Sequence, residues 1–387
     1  MNFELSEDQR ALRDTARRFA NNELKDLARQ VEASGEPVSH DWLRRYADMG
    51  FLGISAGTEH GGFGLPLLDA LLVVEEFARV SVAVAFPVFE CCVGPVRMIE
   101  RFGEESLKVR IVPRTVTGDL LVAISMSEPN AGTALTDLTT RARFDGSSIV
   151  IDGAKRWCSG AGHSGGYVVF CRFDGIPGAK GIGAVFVERD TAGLSFGRPE
   201  HLMGFRGVPS ADMSLASVRV PRENLIVGPG RFGDLMGVFN IERLGNATMA
   251  LGCAAGAYEQ ALAYVQERKQ FGKAVVEFQA VQLKLAEMAM KVEAARLLIH
   301  RAATKTDESG LPPLLETSIA KCYANEISRE VTGIALQLLG GYGYAAEFGL
   351  EQKMRDAWGW GIAGGTIDVQ KTNIASALVG RRFSQRA

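Results

Sequence analysis

Apolar residues recur at helical spacing over roughly the first 115 positions, switch to short β-type runs, and return to helical spacing from about residue 232 onward. Ser6 followed by Gln9 reads as a capping box, and Leu12, Ala16, Phe19 and Leu24 continue on one helical face. Trp42 to Met49 begins a short helix, Leu65 to Arg79 forms a strongly apolar one, and Val96 to Arg101 belongs to another. In the middle region Ile149-Val150-Ile151, Tyr167-Val168-Val169-Phe170, Ala184-Val185-Phe186-Val187, Asp212-Met213-Ser214-Leu215 and Val218-Arg219-Val220-Pro221 are β-type runs separated by Gly and Asp. Turn signals at such short intervals suggest an antiparallel barrel or sandwich ending near Gly230.

Four long helices are predicted after it, over 234–268, 277–308, 313–339 and 348–380. Gly272, Gly310-Leu311-Pro312-Pro313 and Gly340-Gly341-Tyr342-Gly343 punctuate them, as an up-down bundle requires. The expected organisation is therefore α+β and multidomain: an N-terminal helical domain over 1–118, a central antiparallel β domain over 119–231, and a C-terminal four-helix bundle over 232–387.

Composition narrows the function more than the fold. The 387 residues are 47% hydrophobic and 23% charged with a net charge of -2, which gives no reason to expect a nucleic acid or an anionic membrane as partner. No apolar run is expected to reach the ~18 residues that span a bilayer. Met1-Asn2-Phe3-Glu4-Leu5 lacks the basic start and apolar stretch of a signal peptide, so the expected location is cytoplasmic. Six cysteines without a Cys-x-x-Cys pair read as reduced core thiols, vicinal Cys91-Cys92 included. Five scattered histidines show no metal-ligand spacing, and no metal is expected.

Two matches to known patterns fail on context. Gly160-Ala161-Gly162-His163-Ser164-Gly165 has dinucleotide-loop spacing, and Gly162-His163-Ser164-Gly165-Gly166 has nucleophile-elbow spacing. Both motifs need a helix to follow, and a β-type run follows here, so a glycine-rich turn is expected. Two other segments hold more promise. Ser127-Glu128-Pro129-Asn130-Ala131-Gly132-Thr133 gathers hydroxyls, an acid and a glycine between β-type regions, as a loop stiffened by Pro129 or as a binder of a polar ring or phosphate. Gly153-Ala154-Lys155-Arg156-Trp157-Cys158-Ser159-Gly160 sets an aromatic beside a hydroxyl, as a core strand or as the flank of a flat cofactor.

These two segments occur in register with Glu59-His60-Gly61-Gly62, Met203-Gly204-Phe205-Arg206-Gly207, Val218-Arg219-Val220-Pro221-Arg222-Glu223-Asn224, Glu267-Arg268-Lys269-Gln270-Phe271-Gly272, Gln337-Leu338-Leu339-Gly340-Gly341-Tyr342-Gly343-Tyr344, Arg355-Asp356-Ala357 and Gly364-Gly365-Thr366. No one of them is decisive, but together they resemble the acyl-CoA dehydrogenase family over essentially the whole chain. The resemblance implies FAD as cofactor, an acyl-CoA substrate, a homotetramer with FAD lying across a subunit interface, and an electron-transfer flavoprotein as acceptor. It implies that Ile124, Met126, Ser127, Gly132 and Thr133 line the flavin. Trp157, Cys158 and Ser159 would flank its ring, with Ser159 near N5. Arg268, Phe271, Gln279, Gln337, Gly340 and Gly341 would meet the pyrophosphate and adenosine side of a neighbouring subunit's FAD, and Thr366 and Asp368 would also contact the cofactor. Arginine keeps its charge at a diphosphate, and glycine lets backbone approach phosphate closely.

The implied reaction is α,β-dehydrogenation of an acyl thioester, in which a base takes the α-proton and hydride leaves the β-carbon for flavin N5. Many members of the family have Glu where this chain has Gly364. Glycine keeps the backbone N–H that would stabilise the enolate oxygen, so only the side-chain base is missing. Glu242, in Ile241-Glu242-Arg243-Leu244, matches the position of the base in the isovaleryl-CoA and long-chain branch, where desolvation would make it a useful base. Thr133, Asn240, Arg243, Gly364 and Gly365 are the expected substrate contacts, with Arg243 orienting the substrate or Glu242.

Some positions depart from the family pattern. Thr133-Ala134 stands for the usual Ser-Asp, and Trp157-Cys158-Ser159 for Trp-Ile-Thr, with the hydroxyls kept. Gly359, Gly361, Gly364 and Gly365 make the segment before Thr366 glycine-rich, which suggests room for a branched or bulky acyl group. Glu90 reads as a solvated acid at a helix end, with recognition of a polar substrate tail as the alternative. An enoyl-CoA reductase, an acyl-thioester oxidase, a carrier-protein-dependent enzyme and a non-catalytic FAD- or thioester-binding subunit remain open on the same fold.

Overall fold

The computed structural model describes residues 4–384. Helix α1 (Glu7–Phe19) starts at the expected capping box: the Ser6 hydroxyl accepts from the Gln9 N–H at 3.1 Å, and the Ser6 N–H donates to Gln9 Oε1 at 3.1 Å. A π-turn over Ala20–Leu24 leads into α2 (Lys25–Ser34), and α3 (His40–Asp48) and α4 (Leu67–Val80) follow. Three more helices complete this region: α5 (Val82–Cys92), α6 (Val96–Phe102) and α7 (Glu105–Val116). The sequence pattern misses α5 because it is apolar all round and so carries no polar face to mark its period. Val82–Phe102 also corrects the expectation about apolar runs. By length and composition it could cross a membrane, but it lies almost wholly inside the fold, and Gly94-Pro95 separates its two helical pieces.

The central sheet contains β1 (Val122–Ser125), β2 (Arg141–Asp145), β3 (Ser148–Ser159), β4 (Gly166–Phe173), β5 (Ile182–Glu188), β6 (Leu194–Phe196), β7 (Ser210–Pro221) and β8 (Leu225–Val227). Their order is β6-β7-β3-β2-β4-β5-β8, with β1 also paired to β4. Most pairings are antiparallel, but β1 and β2 both run parallel to β4. The two runs at Asp212 and Val218 are one strand, β7, and the register against β3 shifts between Ile151 and Gly153. Nearby Ser217 has φ +53°. The Gly160–Gly165 segment is a turn between β3 and β4, as its context required.

The C-terminal region opens with α8 (Phe232–Glu267), followed by a small hairpin of β9 (Lys269–Gln270) and β10 (Lys273–Ala274). Next come α9 (Gln279–Ala303), α10 (Leu314–Leu339) and the short α11 (Gly341–Tyr344). The fourth expected helix is in fact two, α12 (Leu350–Trp360) and α13 (Ile367–Val379), because the glycine-rich stretch between them breaks the helical ladder. One core joins the N-terminal helices to α8, α9, α10 and α12. A second joins α6, α7 and the start of α8 to one face of the sheet, and a third fills the other face. Helix α8 lies centrally and crosses α4 so closely that a Cβ at Gly252 would sit 2.6 Å from the Glu75 carbonyl oxygen.

Candidate active site

The loop leaving β1 is held from below by a buried ion pair. Lys155, on β3, has no exposed surface, and its Nζ donates to the Met126 carbonyl at 3.1 Å and to Glu128 Oε1 at 2.9 Å. Glu128 also accepts from the Thr139 N–H at 2.6 Å, the Thr139 hydroxyl at 2.8 Å and the Thr140 N–H at 2.8 Å. Burial pushes the Glu128 carboxyl up, but the Lys155 ammonium and these donors hold it at about 2. Lys155 is itself lowered, because burial outweighs what its single carboxylate returns. The Arg156 N–H donates to the Ser127 carbonyl at 3.0 Å and ties the loop to β3.

This places Ile124, Met126, Ser127, Trp157 and Ser159 side by side. Trp157 is 52% exposed at φ +60°, with the Arg156 guanidinium 4.3 Å from its ring. It is therefore not a core tryptophan. The hydroxyl-bearing Ser127 and Ser159 beside it are half-buried, and Gly132 and Thr133 lie exposed at the loop's far side. Cys158 departs from expectation: its thiol turns inward and donates to the Ile124 carbonyl at 3.4 Å, so only its backbone faces outward with its neighbours. All six cysteines are buried and free.

A second group converges on an open cleft of about 690 Å³ between the end of α8 and the end of α10. Arg268, Gln337, Gly340 and Gly341 line it together with Tyr342. Phe271 and Gln279 lie outside that lining, on the β9–β10 hairpin and at the start of α9, and Phe271 is 93% exposed. Thr366 caps α13, its hydroxyl accepting from the Val369 N–H at 3.3 Å, and Asp368 is exposed in the first turn.

The third group surrounds Glu242 on α8. Its Oε2 is shut off from solvent and has no hydrogen-bond partner. Desolvation raises the carboxyl to about 8 against the pull of the nearby Arg243 and Lys321 cations. Asn246 follows one turn later on the same face. It meets Gly364 in the α12–α13 break, where a Cβ would lie 3.6 Å from both Asn246 Nδ2 and Lys321 Cε. Asn246 and Lys321 thus link Gly364 to the surroundings of Glu242, although 122 positions separate the two in the chain. Gly364 has φ +66°, a region natural to glycine. Among the described residues its N–H donates to no protein acceptor.

Three expectations change here. Asn240 is already committed: its Nδ2 donates to the Pro312 carbonyl at 2.9 Å and its Oδ1 accepts from Arg243 at 2.8 Å, so it orients Arg243. The glycine-rich segment is filled at three of its four glycines and open only at Gly364, where an added Cβ would meet ordinary contacts at 3.6 Å. The Phe205 ring fills the side-chain position of Gly359 at 2.5 Å, Gln370 that of Gly365 at 2.8 Å, and the Arg329 guanidinium that of Gly361. Glu90 is no solvated acid. It is buried on α5, and desolvation followed by the charge of Glu242 raises its carboxyl well above the usual range.

Sequence reasoning did not reach Lys321, Asn246 or Asn325, all buried within this third group. A lysine and two asparagines on helical stretches that otherwise read as apolar were the available signal. It also missed what joins Arg355-Asp356-Ala357 to Met203-Gly204-Phe205. Asp356 accepts from the Phe205 N–H at 2.7 Å, and Arg355 donates to the Met203 carbonyl at 2.9 Å. Burial raises the Asp356 carboxyl to about 7 against this backbone donor.

The residues present fit a flavin dinucleotide. A half-exposed flat indole stands beside two hydroxyls, and a separate cleft offers a guanidinium, an amide and a pair of glycines with no side chain to block approach. Comparison with known proteins agrees. Residues 6–119, 123–218 and 232–379 match the N-terminal, middle and C-terminal domains of acyl-CoA dehydrogenase. The chain is 36% identical to a 3-sulfinopropanoyl-CoA desulfinase of Variovorax paradoxus, over 99% of this chain and 97% of that protein. It superposes on a glutaryl-coenzyme A dehydrogenase in complex with glutaryl-CoA with a TM-score of 0.95 and 30% identity, covering 100% of this chain and 98% of the other. A chain from a structure of the electron transferring flavoprotein of Acidaminococcus fermentans, concerned with flavin-based electron bifurcation, gives 0.93 and 33%, covering 98% of this chain and 100% of that one. The chain belongs to the acyl-CoA dehydrogenase family, and is a flavin-dependent oxidoreductase whose cofactor is FAD.

Proposed function

We propose that this protein catalyses α,β-dehydrogenation of an acyl-CoA thioester with Glu242 as the base, as in the isovaleryl-CoA and long-chain branch of its family. The observation that carries this reading is Glu242 itself: a carboxylate oxygen with no solvent and no partner, raised to about 8, on the helix face that meets Gly364. A carboxylate with that affinity for protons is suited to accept one from a weakly acidic α-carbon at neutral pH. The unengaged Gly364 N–H supplies a donor for the thioester oxygen as negative charge develops on it. Arg243, fixed by Asn240, positions the substrate or the base from the adjacent turn.

Bound FAD supplies the hydride acceptor. Ser127, Trp157 and Ser159 would hold its ring, and Arg268, Gln337, Gly340 and Gly341 would hold the phosphate and adenosine side, contributed across a homotetramer interface. Phe271, at the exposed hairpin, belongs to the same proposed interface. Electron transfer to an electron-transfer flavoprotein is the reading favoured by the likeness to the Acidaminococcus chain.

Desulfination is a second reading. It is favoured by 36% identity over almost the whole length to a protein named for acting on 3-sulfinopropanoyl-CoA, and by two cations, Arg243 and Lys321, close to Glu242. Anaerobic titration with straight, branched, cyclic and 3-sulfinopropanoyl acyl-CoAs tests both. Flavin bleaching by an acyl-CoA in the wild type but not in Glu242→Gln supports dehydrogenation. Release of sulfite without bleaching favours desulfination, and neither response with FAD bound overturns both.

A further inference from the structure

The break between α12 and α13 leaves the Trp360 carbonyl at the helix end and the Ala363 carbonyl in the turn beyond it without backbone partners. Here two buried side chains from other helices take them up. Lys321 Nζ, from α10, donates to the Ala363 carbonyl at 2.9 Å and to the Trp360 carbonyl at 3.4 Å. Asn246 Nδ2, from α8, donates to the same two carbonyls, each at 3.3 Å. Asn325 braces both: its Nδ2 donates to Asn246 Oδ1 at 3.0 Å and to the Lys321 carbonyl at 2.8 Å. Lys321 and Asn325 have no exposed surface at all.

A lysine with no carboxylate bonded to it is an expensive way to end a helix. Its placement has a specific consequence. The Ala363 carbonyl and the Gly364 N–H belong to one planar trans peptide and point in opposite directions. Whatever fixes the carbonyl therefore aims the N–H. Burial lowers Lys321 to about 7, and as ammonium or as amine its N–H on the carbonyl oxygen draws electron density through the amide, which makes the Gly364 N–H a stronger donor, as in any cooperative hydrogen-bond chain. Gly364 itself contributes no side chain to hold this peptide in place, and its φ of +66° leaves it little intrinsic preference for one orientation.

We propose that Lys321, assisted by Asn246, is the positioning residue of the oxyanion donor: it grips the Ala363 carbonyl so that the opposite edge of the same peptide, the Gly364 N–H, is aimed and polarised toward the thioester oxygen. This rests on the function proposed above. It is a role in stabilising developing charge, separate from the proton transfer assigned to Glu242.

The test uses the FAD-loaded enzyme and 3-thiabutanoyl-CoA carrying ¹³C at its thioester carbonyl, observed by isotope-edited infrared difference spectroscopy. In the wild type the bound carbonyl should absorb at lower frequency than in solution. In Lys321→Met, with FAD content and thioester affinity within about twofold of wild type, the band should move back toward the free value. With a turned-over acyl-CoA, kcat should fall about tenfold to a hundredfold and KM should change little, below the loss from deleting a whole oxyanion donor. Asn246→Ala, which keeps Lys321, should lie between the two and provides the answer if Lys321→Met does not fold. Equal carbonyl shifts in wild type and variants would overturn the inference while Glu242-dependent bleaching persists. A wild-type carbonyl at its free frequency would overturn it together with the proposed function.

Discussion

Removing Lys155 should loosen the cofactor-side loop, and the geometry sets the size of the effect. In Lys155→Met the Met126 carbonyl loses its donor and Glu128 keeps three hydrogen bonds but loses its only buried counter-charge. Breaking one side of a buried pair costs about 3–5 kcal/mol, and the surviving donors put this case near the lower end. Glu128→Gln should cost about 1–3 kcal/mol, because an amide matches the three donors poorly while Lys155 can shed its proton. The two partners differ in what their titration says: Glu128 is held far down, but Lys155 is lowered too. Glu128 has four donors against the two acceptors of Lys155, and burial offsets much of the attraction, so the pair is retained for the shape of the loop more than for net stability. The double variant should then show a coupling of about 2 kcal/mol relative to the sum of the singles. The sign with pH follows from the depressed carboxyl: its contribution is complete above the usual carboxylate range and is lost as pH falls toward about 2. The assay is urea unfolding of flavin-free protein at fixed concentration, with FAD retention on gel filtration in parallel. A Lys155→Met protein within about 1 kcal/mol of wild type that keeps its flavin would refute the reasoning.

Further outcomes follow from the same geometry. Below saturation, kcat/KM should rise with pH through a midpoint near 8 and level off above it, since only ionised Glu242 accepts a proton, while loss of the Lys321 proton above about 7 works against the rise; a stopped-flow pH profile of flavin reduction in wild type and Lys321→Met separates the two. Glu242→Gln should lower the reduction rate by about 10²–10⁴-fold. The same variant should raise stability more at pH 8 than at pH 5, because a carboxyl raised in the folded state opposes folding once the unfolded chain would ionise, which paired urea titrations can measure. Gly245→Ala should cost about 1–3 kcal/mol through overpacking, as its Cβ would fall 2.5 Å from Val93 Cγ2 and 2.9 Å from the Phe89 ring where α5 meets α8, and thermal melts of the two proteins compare this directly.

The Ser6 capping box, α3, α4 and α8 to α10 follow from period and caps, whereas α2 and α7 were not picked out although each has a polar face. Helix α5 was missed because a fully buried helix has no polar face, and strands β1, β2, β6 and β8 are too short or too charged to stand out. The α12–α13 break was visible as glycines, but only Gly364 among the four keeps open space beside it. Glycine spacing does not say which neighbour will fill the gap, and here Phe205, Gln370 and Arg329 arrive from distant positions. Glu242 and Gly364 were found because each sits in a recognisable local motif. Lys321, Asn246 and Asn325 belong to no such motif. Their chemistry exists only where two helices, α8 and α10, converge on one peptide, and that convergence is a property of tertiary packing.

The grip of Arg355 and Asp356 on the Met203–Phe205 turn has a bearing on synthesis. Phe205 occupies φ +60°, a conformation a phenylalanine does not hold by itself, and its N–H is secured by a side chain 151 residues further along. As the chain leaves the ribosome, the sheet is complete long before its fastening exists. The growing protein must therefore pass through a stage in which the turn beside the cofactor face is unlatched, and the last helices act as the closing hand on a surface made much earlier. A chain cut short before Arg355 should still form its β-sheet yet leave that turn loose, whereas a cut after Asp356 should leave the latch in place.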